Sequence, residues 1–301
     1  MIDLKFYSPT EQISHPLFID KGVRVFLKRD DLIHPFISGN KWRKLKYLLL
    51  KAEKEGKNKL VTFGGAWSNH LLATACAAAK FGFKAVGIVR GEAVENEVLL
   101  LCKLFGMELQ FVDREHYRDK RTLYNERFSA DTSAFFIDEG GYSEEAVRGC
   151  SELADELDRD FGHVFCACGT GATAAGIIKG LSSRIPSCHF HGVPVLKNGE
   201  FLRVEINKLL IGDYPFSLHT TYHFGGYAKT KPELLKFIHN FSSRSGILLD
   251  PVYTGKMMYA LFDLIEKDHF KQGAKIAAIH TGGLFGLLGM KEKFKEILPT
   301  A

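Results

Sequence analysis

The chain has 301 residues, of which 46% are apolar and 25% are charged, and its formal net charge is +5. These values are typical of a soluble globular protein with one or two compact units. Lysine and arginine are spread along the chain, which disfavours a nucleic-acid-binding surface because such surfaces concentrate positive charge. No apolar run approaches the roughly 18 residues of a transmembrane helix, and the first residues lack the pattern of a signal peptide.

The predicted elements alternate between strands and helices. Short apolar segments predict strands at Val23–Lys28, Leu60–Phe63, Ala85–Val89, Glu108–Val112, Ala134–Ile137, His163–Cys168, His189–Val195 and Lys275–Ile279. Helical patterns lie between them at Lys41–Lys54, Asn69–Phe81, Glu144–Asp160, Thr173–Ser182, Pro232–Ser242 and Gly255–Lys267. This α/β alternation predicts two open, twisted and mainly parallel sheets covered by helices, with a cleft between two lobes.

The expected division of the chain has boundaries near residues 50 and 154. It gives a large cofactor-binding domain of residues 1–50 plus 155–301 and a small domain of residues 51–154. Six cysteines are too few for a disulfide scaffold. Cys166 and Cys168 lie in an apolar run, where cysteine usually acts as a small buried hydrophobe. We therefore expect structural cysteines, no metal site and a reducing cytosolic compartment.

The segment Gly169-Thr170-Gly171-Ala172-Thr173 follows a predicted strand and precedes a predicted helix. Free backbone N–H groups and the helix dipole would favour an anion at this turn, and the threonine hydroxyls would add donors. The alternative is a tight turn with Thr173 as a helix N-cap. The pattern is also compatible with a dinucleotide site, but no Asp or Glu occurs from Ala172 through Gly199. Arg184 or Lys197 would serve an NADP variant, whereas a compact monophosphate fits better.

Lys41 begins a predicted helix that also carries Arg43, Lys44 and Lys46. Most lysines at helix starts are solvated, and that is the simpler interpretation here. The preceding turn Ser38-Gly39-Asn40 favours an inward direction instead. Neighbouring cationic groups would lower the pKa of the Lys41 amine and free it for attack on an aldehyde.

Ser68-Asn69-His70 opens another predicted helix after the turn that begins at Gly64. Ser68 or Asn69 is a natural helix cap. In the functional interpretation, Asn69 donates to the phenolic oxygen of a cofactor. Ser68, His70 and nearby N–H groups then hold a substrate carboxylate at the helix N-terminus.

With these segments together, the chain resembles the fold-type II enzymes that use pyridoxal 5'-phosphate (PLP), which have the tryptophan synthase beta-like fold. Within them it is most similar to the family of 1-aminocyclopropane-1-carboxylate (ACC) deaminases and D-cysteine desulfhydrases. The motifs that carry the resemblance are Lys28-Arg29-Asp30-Asp31, Gly39-Asn40-Lys41-x-Arg43-Lys44-Leu45, Gly64-Gly65-x-x-Ser68-Asn69-His70, Gly169-Thr170-Gly171-x-Thr173, Asp250-Pro251-Val252-Tyr253-Thr254-Gly255-Lys256 and His280-Thr281-Gly282-Gly283.

The resemblance implies a role for each motif. Lys41 would bind PLP covalently, Asn69 would contact the ring hydroxyl, and the loop of Gly169, Thr170, Gly171, Ala172 and Thr173 would bind the phosphate. Ser68 and His70 would bind the substrate, and Tyr253 would lie beside the reacting carbon. Without the resemblance, Tyr253 is equally well interpreted as an interfacial tyrosine with a satisfied hydroxyl.

The segment around Thr281 favours one reaction of this family over the other. ACC deaminases carry an acidic residue near this turn, whereas residues 278–283 here contain no carboxylate. A neutral Thr281 beside the pyridine nitrogen would give a weaker electron sink, which suits elimination with a good leaving group. We therefore expect a D-cysteine desulfhydrase-like lyase that acts on a small amino acid and forms a homodimer. ACC deaminase is the alternative, and a PLP-binding regulatory homologue without turnover is another. Trp67 and Trp42 depart from the family pattern, and each would either narrow the pocket or pack the interface of the lobes. Residues 222–227 would either edge the cleft or form a surface loop, so the substrate size stays open.

Overall fold

The protein is described here by a computed structural model, which covers residues 2–298 except 211 and 213. The strands of these residues are β1 Thr10–Ile13, β2 Arg24–Lys28, β3 Lys59–Gly65, β4 Lys84–Arg90, β5 Met107–Val112, β6 Ala134–Ile137, β7 His163–Cys168, β8 His189–Pro194, β9 Phe216–Leu218 and β10 Lys275–Ile279. The helices are α1 Pro16–Asp20, α2 Asn40–Lys54, α3 Asn69–Phe81, α4 Glu97–Leu104, α5 Lys120–Phe128, α6 Glu144–Ser151, α7 Ala172–Arg184, α8 Phe201–Leu209, α9 Pro232–Ser245, α10 Thr254–Glu266 and α11 Lys291–Lys295. The predicted α/β alternation is confirmed.

Two sheets organise the chain. One has six strands in the order β1-β2-β10-β7-β8-β9, and the other has four in the order β5-β4-β3-β6. Only the β1–β2 pair is antiparallel among the pairs described. The central strand β10 is buried at every position, as expected for a parallel strand covered on both faces. Parallel strands direct their carboxyl ends to one edge, and loops at that edge commonly form the ligand site of α/β folds.

Several elements differ from the sequence-based expectation, which named no helix at the positions of α1, α4, α5, α8 and α11. The predicted helix Glu144–Asp160 is interrupted: α6 ends at Ser151, and a 3-10 turn covers Glu152–Glu156. Strands β1 and β9 were not predicted, because each is short and lies at an edge of the six-stranded sheet. Most of their residues are only partly buried, so their sequences lack the apolar run or the alternation that marks a strand.

Helix α2 packs against α3, α6 and the core of the four-stranded sheet. Its residues Leu45, Leu48 and Leu49 belong to the core that contains α3 and the four-stranded sheet. Helix α6 packs closely on α2, because a Cβ atom placed on Gly149 would lie 1.8 Å from the carbonyl oxygen of Arg43. The start of α2 is therefore fixed by contacts with both halves of the molecule.

Five of the six cysteines are buried and all six are free thiols. Burial raises the pKa of the Cys166 thiol well above its usual value and that of Cys168 to about 12. Both thiols therefore remain neutral and pack as apolar side chains. Across residues 2–210, 212 and 214–298, no helix combines the length and the apolar character needed to cross a membrane.

Candidate active site

Gly39 places Lys41 in the cleft at the start of α2. Its φ angle is 60°, which favours glycine, and a Cβ atom there would lie 1.8 Å from the carbonyl oxygen of Thr281. Lys41 Nζ donates a hydrogen bond of 2.7 Å to Asn40 Oδ1. Asn40 Nδ2 donates in turn to Thr173 Oγ1 at 2.9 Å. The lysine is thus linked to the glycine loop that follows β7.

The pKa of the Lys41 amine is lowered from 10.5 to about 7, first by burial and second by the positive charge of Lys44. A substantial fraction of the amine is therefore neutral at neutral pH. Lys44 acts as the sequence predicted, but Arg43 does not lie free beside the amine. It forms ion pairs of 2.6 Å with Asp30 and 2.7 Å with Glu156, which neutralise its charge.

The loop after β7 has the geometry of an anion site. Gly171 precedes α7 with a φ angle of 90°, and no side chain caps the helix. The first N–H groups of the 13-residue helix α7 thus remain available to a ligand. Thr173 was the alternative N-cap, but it lies inside the helix and its hydroxyl accepts from Asn40. Ala172 is the first residue of α7 and is fully buried.

Ser68 caps α3, because its hydroxyl oxygen accepts a hydrogen bond of 3.2 Å from the N–H of Leu71. The hydroxyl proton remains free to be donated to another group. Gly64 and Gly65 belong to β3 and not to a turn of positive φ, contrary to the sequence-based expectation. Glycine is required at position 64 by close approach, since a Cβ atom there would lie 2.5 Å from Ser68 Oγ.

Asn69 and His70 occupy different surroundings. The Nδ2 atom of Asn69 would lie 2.8 Å from a Cβ atom on Gly283, so the amide packs against that turn. His70 is buried, and its Nε2 atom lies 2.9 Å from Thr62 Oγ1. Its Nδ1 atom is buried and has no hydrogen-bond partner among the described residues. Burial first, and then the charges of Lys41 and Lys44, hold the pKa of His70 well below its usual value, so the ring is neutral.

Tyr253 precedes α10 in a turn organised by Asp250. The buried carboxylate of Asp250 accepts hydrogen bonds of 2.8 Å from the N–H groups of Val252, Tyr253 and Thr254. The hydroxyl of Tyr253 lies 3.5 Å from that of Tyr227. Burial first and the neighbouring phenol second raise the pKa of Tyr253 well above its usual value. Tyr253 therefore holds its proton at neutral pH.

These residues enclose one cavity of about 380 Å³, a size typical of small-molecule sites. Every candidate site residue named from the sequence lines it except Ala172. The lining also includes Arg90 and Glu139, which the sequence did not indicate, together with Asn40, Lys44 and Tyr227. The sequence left residues 222–227 open between the edge of the cleft and a surface loop, and Tyr227 of this segment lies at the cleft.

Comparisons with known proteins agree with this geometry. The model of the family "Pyridoxal-phosphate dependent enzyme" matches residues 5–282. A Pyrococcus horikoshii protein provisionally named 1-aminocyclopropane-1-carboxylate deaminase is 34% identical, covering 92% of this chain and 90% of its own. D-cysteine desulfhydrase of Yersinia enterocolitica is 31% identical, covering 92% and 91%. A crystal structure of an ACC deaminase homologue superposes with a TM-score of 0.88 at 31% identity, covering 98% of this chain and 95% of that one.

Proposed function

We propose, because this chain belongs to the family of pyridoxal-phosphate-dependent enzymes, that it is a lyase acting on a small amino acid, with D-cysteine as its substrate. The reaction converts D-cysteine and water to pyruvate, ammonia and hydrogen sulfide. The observation that carries the proposal is a buried amine of pKa about 7 in the same cavity as an uncapped helix N-terminus. Few other ligands need both a nucleophilic amine and a phosphate site.

The residues of the cleft fit the cofactor. Lys41 would attach to its aldehyde, the loop from Gly169 to Thr173 with the N-terminus of α7 would bind its phosphate, and Asn69 would contact its ring oxygen. The cradle is tight, since a Cβ atom on Gly169 would lie 3.1 Å from the Tyr253 ring. When bound, PLP supplies an aldehyde for covalent attachment and a ring that accepts negative charge from the substrate's α-carbon.

Lys41 is the residue proposed to move the α-proton of the substrate. An amine of pKa about 7 accepts a proton at neutral pH and can return it. Asn40 supports this role, because its Oδ1 atom accepts a hydrogen bond from Lys41 Nζ and holds the amine in one orientation. Lys44 is not proposed as the base, because its Nζ atom donates a hydrogen bond of 2.9 Å to the carbonyl oxygen of Gly140.

The N-terminus of α3 is proposed to bind the substrate carboxylate. Ser68 has a free hydroxyl proton because its oxygen accepts from Leu71, and the first N–H groups of a 13-residue helix favour an anion. His70 presents a neutral ring at this site, and its Nε2 atom is hydrogen-bonded to the Thr62 hydroxyl. A neutral His70 avoids adding a third positive charge beside Lys41 and Lys44.

Tyr253 is proposed to donate a proton to the departing sulfide. Its raised pKa keeps the phenol protonated, so it is an acid rather than a base at neutral pH. Tyr227 lies 3.5 Å from its hydroxyl and would orient it.

The alternative substrate ACC is supported by the names of relatives. Thr281 argues for D-cysteine, because it is buried, neutral and part of the cavity wall. No carboxylate lies in residues 278–283. ACC has no α-hydrogen, so opening its ring demands a deeper electron sink than elimination of sulfide does.

Product analysis tests the proposal directly. The purified protein, loaded with PLP, is incubated separately with D-cysteine, L-cysteine and ACC. Pyruvate and sulfide from D-cysteine are expected. Robust 2-oxobutanoate formation from ACC would reverse the ranking, and visible absorbance without turnover of any amino acid would favour a regulatory role.

Borohydride trapping tests the proposed attachment site. Peptide mapping should find the adduct on Lys41 and leave Lys44 unmodified, although both amines line the cavity. The variant Lys41→Ala should lose the adduct while keeping its circular dichroism spectrum. An adduct on Lys44 in the wild type would overturn the assignment.

We also propose the domain division at residues 50 and 154, and a cytosolic homodimer. The distribution of strands supports the division, since residues 59–137 contain the four-stranded sheet. Helices α2 and α6 lie at its two boundaries. Limited proteolysis and sedimentation equilibrium would test the division and the dimer, respectively.

A further inference from the structure

A second cavity of about 690 Å³ opens beside the proposed active-site cleft. We call it the side groove. One wall is α4 with the loop before it, and the other is the C-terminal segment that begins at residue 288. Its lining combines the apolar side chains of Trp67, Val94, Leu99, Leu100, Leu288 and Met290 with polar and charged residues at positions 95–97, 103 and 291–293. The apolar part of this lining suits a hydrophobic substituent of a small molecule.

Trp67 separates the side groove from the cleft. Among residues 2–210, 212 and 214–298 it alone lines both cavities. It directly precedes Ser68, the proposed carboxylate-binding residue, so it lies at the substrate end of the cleft. A substituent two carbons from the carboxylate therefore extends within reach of this wall.

Two contacts locate Trp67 beside the side groove. Asn96 Nδ2 donates a hydrogen bond of 3.1 Å to the carbonyl oxygen of Ala66, which ties the loop to the start of α4. The indole packs on Gly289, where a Cβ atom would lie 2.9 Å from Cδ2 and 3.0 Å from Cε2. This contact covers one part of the indole, and Trp67 as a whole is 39% exposed at the boundary of the two cavities.

We propose that Trp67 is the specificity-determining residue that restricts the substrate to a small group on its β-carbon, and that the side groove accepts a larger apolar group once Trp67 is reduced in size. This inference rests on the proposed lyase function and adds a substrate-size limit to it. Excluding or admitting a single methylene in an apolar pocket changes kcat/KM by about 10–200-fold. Removing an indole from the wall should have at least the lower of these effects.

Turnover of two substrates that differ in size tests the limit through one chemistry. D-cysteine, a thiol, and S-benzyl-D-cysteine, its benzyl thioether, are compared in PLP-loaded enzyme. Each turnover breaks the Cα–H and Cβ–S bonds, releases the thiol with one proton, and hydrolyses the three-carbon remainder to pyruvate and ammonia. Trp67→Ala should raise the kcat/KM ratio of S-benzyl-D-cysteine to D-cysteine at least about tenfold. Trp67→Phe should give a smaller gain and serves if the alanine variant fails to fold.

Leu100→Ala is the matched control. Leu100 is 57% exposed and lines the side groove only, so the variant enlarges the groove and keeps the wall. Its ratio should equal that of the wild type. An unchanged ratio in both folded Trp67 variants, with D-cysteine still turned over, would refute the inference alone. Failure of the wild type on D-cysteine would instead refute the proposed function.

A binding measurement gives a readout besides turnover. Calorimetry with 4-phenylbutanoate, a carboxylate with an apolar tail, should show at least about tenfold tighter binding to Trp67→Ala than to the wild type. Acetate provides the comparison without a tail. Equal affinity of 4-phenylbutanoate for wild type, Trp67→Ala and Leu100→Ala would overturn the separation of the two cavities.

Discussion

The low pKa of Lys41 makes the reactivity of one amine measurable without the cofactor. At pH 7 about one ordinary lysine amine in 3000 is neutral, because its pKa is near 10.5, whereas about half of Lys41 is neutral at a pKa of about 7. Lys41 should therefore react with a small acylating reagent at pH 7 far more readily than exposed lysines do. The advantage should disappear in urea, where burial is lost.

Competitive labelling of the apoprotein with acetic anhydride, followed by peptide mass spectrometry, measures this pKa. The labelling of Lys41 should rise with a midpoint near pH 7, and exposed lysines in the same digest provide the internal reference. Lys44→Gln removes the second-largest cause of the lowered pKa, so the midpoint should move upward, though less than on unfolding because burial is the largest cause. A midpoint above about pH 9 in the folded protein would refute the reasoning.

Three further predictions concern stability. Gly39→Ala should lower the free energy of unfolding in urea by about 2–4 kcal/mol, because the new Cβ atom would meet the carbonyl of Thr281. Gly56→Ala is the control, since Gly56 has a positive φ but open space around it, and it should cost about 1 kcal/mol. Equal costs for the two variants would contradict the close contact at Gly39. His191 has a pKa lowered to about 2, chiefly by burial, so the unfolded chain binds its proton first. Stability should be full above pH 6.5 and fall as the pH drops below it by about 1.4 kcal/mol per pH unit for this group, and His191→Phe should flatten the pH dependence of the urea midpoint. Lys256 donates to three backbone carbonyls from a buried position, so Lys256→Met should lose about 2–4 kcal/mol, and a stability equal to wild type would exclude that support.

Local sequence patterns were sufficient to predict most of the central strands and helices. Strands β6, β7 and β10 match the predicted bounds because each is a short apolar run between turn residues. The end of α6 at Ser151 had no comparable signal. It depends on packing of the helix against α2 and α7, where a Cβ atom on Gly176 would lie 2.4 Å from that of Cys150. Such contacts join residues far apart in the sequence and leave no local pattern.

The same distinction between local sequence signals and long-range packing applies to the residues of the site. Lys41, Ser68 and the glycine loop could be predicted because each belongs to a motif whose spacing reflects its local turn. Arg90 and Glu139 could not be placed at the cleft, and residues 222–227 were equally compatible with a surface loop, since such locations depend on how distant parts of the chain meet. The partner of Arg43 was equally hidden, because Asp30 and Glu156 lie 13 and 113 residues away.

Arg43 explains why burial rather than charge governs the nucleophile. Its ion pairs with Asp30 and Glu156 cancel a positive charge two residues from Lys41, so exclusion of water is the main cause of the lowered pKa. An enlarged opening at Trp67 would admit water and stabilise the charged amine. Variants that accept larger substrates should therefore have less neutral Lys41 at pH 7, and their rate with D-cysteine should reach its maximum at a higher pH. The wall that restricts substrate size would then also maintain the reactivity of the amine.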